Sequence, residues 1–331
     1  MKKLLFLLFF ILLTAVYSFA QKGYKPPYPF EVGGHIGTSM FLGDLGGQSG
    51  IGTPFLRDTD FKSTRLNIGL FGRWNIGRHF STRFEMNYLR LSGDDKLAGK
   101  GAYGQFDPTV VDRSDFAWGR FYRNLNFRSN VFESFVAAEI TPYNFELGGG
   151  YQGYSVLSPY GFVGVGLFYH NPQGFYSDRN EWVNLKPLRT EGQGLVDGVD
   201  PYSLVQMNIP MGLGIKWNYE DQWALSFEVN HRLTFTDYMD DVSTRYVDPA
   251  LLTANLPSEL VAPAIAMARR SVEIDPGEVN GGNTWPGQQR GDPRDNDSFY
   301  TISVKFSYFL GNGRTFMPSS GLRSRYSCPV W

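Results

Sequence analysis

Cysteine is nearly absent from this chain of 331 residues. The single one, Cys328, stands close to the C-terminus, so no disulfide can form within the chain, and it reads as a stray thiol in a tail. Net charge is nearly absent as well. There are 31 Lys and Arg against 32 Asp and Glu, a balance of −1, with none of the excess that a nucleic-acid partner requires. Histidine is scarce: His35, His79, His170 and His231 are the full set, and none falls in an HExxH pair or at another metal-ligand spacing. No GxSxG elbow and no phosphate-binding loop occurs. These absences point away from metal and nucleotide chemistry, and no cofactor, no metal and no enzymatic activity are expected. Beyond the first twenty residues or so, no apolar run is long enough to cross a bilayer as a helix. Entry into a membrane would then require a closed barrel, because backbone groups in lipid need partners.

What the chain does have is aromatic residues, 16% of the total, together with 38 glycines. Hydrophobic residues make up 42% and the mean hydropathy is −0.27. That value resembles a soluble protein, but only every second strand residue of a membrane barrel faces lipid, so such barrels share it. The N-terminus starts basic with Met1, Lys2 and Lys3, continues apolar from Leu4 to Val16, and reaches Ser18-Phe19-Ala20 before Gln21. The run is short for a membrane span and has the pattern of a cleaved export signal. The expected division is a signal peptide over 1–20, a barrel over 21–310 and a periplasmic tail over 311–331.

Period-two alternation marks strands with two unlike faces. Tyr300 to Leu310 sets Tyr300, Ile302, Val304, Phe306, Tyr308 and Leu310 against Thr301, Ser303, Lys305 and Ser307. Trp223 to Phe235 repeats the pattern, with His231 the one polar intruder on the apolar row. Val205 to Trp217 alternates too, and Pro210 within it predicts a bulge, since proline lacks a ladder donor. Further strands are expected at Phe30–Phe41, Arg65–Ile76, Phe80–Leu91, Val131–Ile140 and Tyr160–Tyr169. Long connections (42–64, 92–127, 170–203 and 237–297) alternate with shorter ones. An outer-membrane barrel has this rhythm, with long loops outside and short turns in the periplasm. The sequence therefore predicts an all-β fold: an eight-stranded antiparallel transmembrane β-barrel in the cell outer membrane, with lipid as the partner of its outer face. A soluble β-sandwich would not need alternating loop lengths.

The inner face carries Arg73, Arg83, Lys216, Arg232 and Lys305, with Glu85, Glu133, Glu139 and Glu228. Buried charges must pair, and an eight-stranded interior is just wide enough to be filled, so a plugged barrel is expected. Two loop segments stand out. In Phe41-Leu42-Gly43-Asp44-Leu45-Gly46-Gly47, the glycines Gly43 and Gly46 permit positive φ and Asp44 can accept from nearby amides. In Thr236 to Ser243, the carboxylates Asp237, Asp240 and Asp241 either cap the loop or bind calcium, and their spacing is not that of an EF-hand. An Ala/Leu-rich run between Pro249 and Arg270 suggests short helices.

These segments, with Ala20-Gln21, "TDYMDDVSTRYVD" (Thr236 to Asp248) and "RGDPRDNDSFY" (Arg290 to Tyr300), resemble the PorG-type outer-membrane barrels of the Bacteroidetes type IX secretion system. The resemblance covers Phe30 to Leu310. It implies a component of the secretion and gliding machinery that anchors a periplasmic ring, in contact with a lipoprotein and its partner protein. The tail residues Arg323, Arg325, Tyr326 and Trp331 are the candidates for that contact. Two other readings stand beside it: a membrane-embedded hydrolase, for which His231 is the one oddly placed base, and a surface adhesin displaying the loop from Asp237 to Asp297.

Overall fold

The structure is a computed structural model and describes residues 29–45, 63–77, 79–98, 116–147, 155–219, 222–274 and 284–310. Its strands are β1 (Phe30–Leu42), β2 (Arg65–Asn75), β3 (Phe80–Asp94), β4 (Asn126–Ile140), β5 (Phe145–Leu147), β6 (Ser155–Tyr169), β7 (Pro172–Tyr176), β8 (Glu181–Asn184), β9 (Val205–Tyr219), β10 (Trp223–Thr234) and β11 (Ser298–Leu310). Eight of these form one continuous antiparallel ladder in the order β1-β2-β3-β4-β6-β9-β10-β11. The ladder closes where β11 pairs with β1, from Phe30↔Leu310 to Leu42↔Ser298. The result is an eight-stranded antiparallel barrel with no free edge among these strands. The short strands lie outside the ring: β5 pairs with one end of β6, and the β7–β8 hairpin extends from β4.

Alternation in the sequence decides which way each side chain points. The outward row is apolar and bare to the surroundings, with Leu70 64% exposed, Val165 62% and Leu213 72%. Near the short turns it ends in interlocked aromatic rings: Trp217 meets Trp223 edge-on at 5.7 Å, and Trp223 lies 6.1 Å from Phe306. An apolar belt this continuous exceeds what a water-facing surface carries. Together with the flanking aromatic girdle, it makes the fold consistent with an outer-membrane barrel.

Two sequence expectations need correction. Both β4 and β6 begin earlier than their alternation suggested, at Asn126 and Ser155. The β3–β4 ladder continues to Asp94↔Asn126, so the barrel wall rises past the apolar belt, where alternation no longer carries the signal. Pro210 makes no bulge. The register of β9 with β6 is the same on both sides of it, from Val163↔Met211 to Gly166↔Asn208, and pairing simply lapses between these points. Toward β10 the ladder runs unbroken through Arg232↔Pro210. The missing donor is absorbed where the ladder lapses over two residue pairs, without an extra residue.

The inward row is polar and ion-paired, as the sequence suggested. Arg83 reaches Glu228 at 2.7 Å, Glu139 at 2.9 Å and Glu85 at 3.1 Å. Lys305 bridges Glu85 at 2.6 Å and Glu228 at 2.9 Å. Arg73 pairs with Glu31 and, at 2.7 Å, with Glu139. Arg232 holds Glu133 at 3.0 Å, and Lys216 lies 3.3 Å from Glu31. Rings pack against these charges: the Arg83 guanidinium sits 4.5 Å from the Phe162 ring centre, and the Tyr160 hydroxyl donates to Glu228 at 2.7 Å. Glu31 was missed in the sequence because the glycines of β1 blur its alternation.

Candidate functional site

The two ends of the barrel differ. At one end the connections are short, as between β2 and β3 and between β9 and β10. At the other, the described parts of the long connections fold together into a layer above the barrel rim. Its elements are α1 (Asp95–Ala98), α2 (Phe116–Arg123), α3 (Pro249–Asn255), α4 (Ser258–Ala268) and the β7–β8 hairpin. α3 and α4 form where the Ala/Leu-rich run predicted short helices, whereas α1 and α2 lie in a stretch read as a loop. Pro249 opens α3 with its φ preset, and the Asp248 carboxylate accepts from the Ala250 amide at 2.8 Å. The layer has an apolar core of its own. Leu185, Leu188, Met239, Val242, Leu252, Ala264 and Met267 pack onto Leu89, Leu91, Phe127, Phe168 and Phe299 of the strand ends.

Beside that core lies a set of buried charges, and it gathers the three loop motifs into one place. The Leu45 amide donates to Asp240 Oδ2 at 3.0 Å. The Asp292 amide donates to Asp44 Oδ2 at 2.8 Å, and the Met239 amide donates to Asp297 Oδ2 at 2.8 Å. Each bond joins segments far apart in the chain. Gly43 is needed because a side chain there would overlap the Asp297 carboxylate. Positive φ is not the reason, since Gly43 is absent from the positive-φ glycines. Among the described residues, Asp44 finds its amide partner at the far end of the chain, while the amides from Gly46 onward lie outside them. Gly46 and the tail candidates Arg323, Arg325, Tyr326 and Trp331 lie outside the described residues.

Two arginines lock the arrangement. Arg123 grips Asp95 with two bonds, at 2.8 and 2.9 Å, and donates to the carbonyls of Asp44 at 2.6 Å and Arg290 at 2.7 Å. Arg290 donates to Glu191 at 2.9 Å and to the Asp241 carbonyl at 2.6 Å. Glu191 also accepts from the Ser243 and Thr244 amides, each at 2.9 Å. The sequence reading gave no role to Arg123, Glu191 or Arg290. Only Arg290 had a signal, as the first residue of the "RGDPRDNDSFY" segment.

The remaining carboxylates have more company of their own sign than of the other. Burial pushes Asp237 up to about 8, with repulsion from Asp44, Glu191 and Asp292 adding to it and Ser243 opposing it. Burial also raises Asp240, reinforced by the charges of Asp44 and Asp237, and Asp297, reinforced by those of Asp240 and Asp237. Asp241 rises to about 6 through burial, held back by Arg290, Thr190 and Tyr202. Asp240 does cap locally, its Oδ1 accepting from the Val242 amide at 3.0 Å. Among the described residues, no three His, Cys, Asp or Glu side chains are grouped to hold a metal ion. His231 stands on the outer face of β10, opposite Met211 and Tyr300.

Comparisons with known proteins follow from this geometry. A family model described as a domain of unknown function, DUF6089, matches residues 2–248. No curated protein matches. Two similar solved structures are of Ail, the attachment invasion locus protein of Yersinia pestis, one of them in complex with the heparin analogue sucrose octasulfate. They are 7% and 8% identical, both with a TM-score of 0.33, covering 85% of this chain and 99% and 98% of theirs. The likeness is that of an outer-membrane type barrel. None of these comparisons names a component of the type IX machinery, so the secretion reading is corrected and the ring-anchor role is not carried further.

Proposed function

The chain belongs to the DUF6089 family, and on that premise we propose that it is an outer-membrane recognition protein of the adhesin class, with no catalytic role. In this reading the barrel is a closed transmembrane anchor and the layered end faces outward. The observation that carries it is the order of that layer. A barrel needs only slack connections between its strands, and fixing each backbone residue costs about 1–2 kcal/mol. Connections beyond roughly 12–15 residues that are not disordered usually serve a function. Here they share an apolar core, and a buried charge network clamps them together. Membrane placement is supported by the bare apolar belt, with lipid as its partner, and export by the basic and then apolar first twenty residues. A closed interior is supported by the paired charges and rings within it.

The test uses intact cells displaying the full chain, with protease added outside. Cleavage within the layer on intact cells, and adhesion to surfaces that falls when α3 and α4 are replaced by a short Gly-Ser link, is the expected result. Cleavage only after the membrane is opened would refute the orientation. Adhesion unchanged in the shortened variant would refute the recognition role.

A further inference from the structure

A cavity of about 270 Å³ opens in the layer, lined by Lys186, Pro187, Arg189, Gln193, Pro201 and Tyr202. We propose that it is a binding site for the acidic end of a saccharide, a sugar ring bearing a carboxylate or sulfate; the proposal rests on the recognition reading above and names the ligand class.

The walls are built to stay in place. A 3₁₀ turn, Lys186–Leu188, ends at Arg189, whose φ of 50° lies in the left-handed region. Leu185 and Leu188 on either side are buried in the core of the layer. Asp241 ties the two walls together: Thr190 donates to its Oδ2, and the Tyr202 hydroxyl donates to its Oδ1 at 2.7 Å. Tyr202 is stacked on Tyr238 at 5.0 Å with the rings 10° apart. Gly194, at φ 73°, admits the close approach of Pro201, whose Cγ would lie 3.0 Å from any Cβ there.

The chemistry of the lining is one-sided. No carboxylate is among the six residues. Lys186 and Arg189 form no ion pair among the described residues. Gln193 is 2% exposed, and its Nε2 has no hydrogen-bond partner. Its Oε1 already accepts from the Glu191 amide at 3.2 Å, which fixes the amide with its donor side free. A buried donor without an acceptor is costly, and two cations beside it deepen the want of an anion. An oxyanion meets all three needs at once. The exposed Pro187 and Pro201 add apolar edges suited to the C–H face of a sugar, and the buried Tyr202 ring holds the Lys186 ammonium 6.0 Å from its centre. The volume is below the roughly 300–1,000 Å³ of pockets for drug-sized ligands, so one terminal unit of the saccharide enters.

The test titrates the full chain in lipid nanodiscs with a uronate-ended oligosaccharide, its sulfated counterpart, the neutral counterpart and inorganic sulfate. The acidic forms should bind at least tenfold tighter than the neutral one, and more weakly as salt rises. Lys186→Gln and Arg189→Gln should each weaken binding about tenfold. Gln193→Glu, which sets a carboxylate where the oxyanion would lie, should abolish it, with amide exchange across the layer unchanged in all three. Neutral and acidic saccharides binding alike, or variants binding like the parent, would overturn the site. Inorganic sulfate binding as tightly as the saccharides would overturn the saccharide assignment. Cells carrying Lys186→Gln and Arg189→Gln that adhere like the parent would sink this site while leaving the recognition reading standing. Loss of adhesion on removal of α3 and α4 tests that reading separately.

Discussion

Replacing Arg83 with methionine removes the most connected cation of the barrel interior while keeping most of its volume. Three carboxylates lose a partner: Glu228 at 2.7 Å, Glu139 at 2.9 Å and Glu85 at 3.1 Å. Their losses are unequal. Glu139 keeps Arg73 at 2.7 Å, whereas Glu85 and Glu228 must share Lys305. The inward set, five cations facing five carboxylates (Glu31, Glu85, Glu133, Glu139 and Glu228), is left with one uncompensated negative charge. Breaking a buried pair from one side costs about 3–5 kcal/mol, and each 1.4 kcal/mol is tenfold in an equilibrium constant. The folding equilibrium constant should therefore fall by roughly two to four powers of ten. Adding Glu228→Gln restores the balance of charge, and the double variant should recover at least half the loss. Urea unfolding in lipid vesicles, followed by tryptophan fluorescence and by heat-modifiable gel mobility, measures both. A single variant within about 1 kcal/mol of the parent would refute the reasoning, because it would mean that water, not paired side chains, occupies the interior.

Other perturbations reach the belt and the layer. Leu213→Arg places a charge on a residue 72% exposed on the outer face; it should destabilise the barrel by about 2–4 kcal/mol if that face meets the bilayer midplane, and a near-neutral effect in vesicles would deny the membrane placement. Gly43→Ala forces a methyl against the Asp297 carboxylate and should cost about 1–3 kcal/mol, seen as faster amide exchange at Leu45 and Met239; unchanged exchange would mean the junction is loose. Glu191→Gln weakens the buried pair with Arg290 and should loosen the layer while leaving barrel unfolding as in the parent, which separate exchange rates for the two regions would show. The pH response of the layer follows from its raised carboxylates. Folded, Asp237 keeps its proton to about 8, against an ordinary 3.8, so between these values the folded layer binds more protons than the unfolded chain. Its contribution is full below about pH 4 and is lost as pH rises toward 8. Exchange of layer amides, corrected for intrinsic rate, should speed up across that window and do so less in Asp237→Asn; an identical profile in the variant would disprove the assignment.

How much of this was legible beforehand depends on the range of the interaction concerned. The alternation of Trp223 to Phe235 and of Tyr300 to Leu310 fixes which side chains face in and out, because a strand's two faces are set by neighbours two residues apart. Length contrasts between connections give the strand count for the same local reason. The Ala/Leu-rich run after Pro249 places α3 and α4 within a few residues, because helix propensity is local. Arg83, Arg232 and Lys305 could be placed inside from the sequence, though not paired. Which carboxylate meets which cation depends on register around a closed ring, and that register appears only once β11 meets β1.

The layer lies at the other limit. Asp44, Asp240 and Asp297 look like three separate turn residues when the chain is read along its length, and nothing local in Arg123 or Glu191 marks them. Closure of the barrel brings their loops to one end, and there Asp44 meets the Asp292 amide across 248 positions. The same closure turns Lys186, Arg189 and Gln193 from ordinary loop residues into one wall of a cavity. The sequence by itself thus determined the barrel and its two faces, since these rest on period-two alternation and loop length. Only the tertiary structure decided the charge network and the cavity, since those rest on contacts between segments that no local pattern couples.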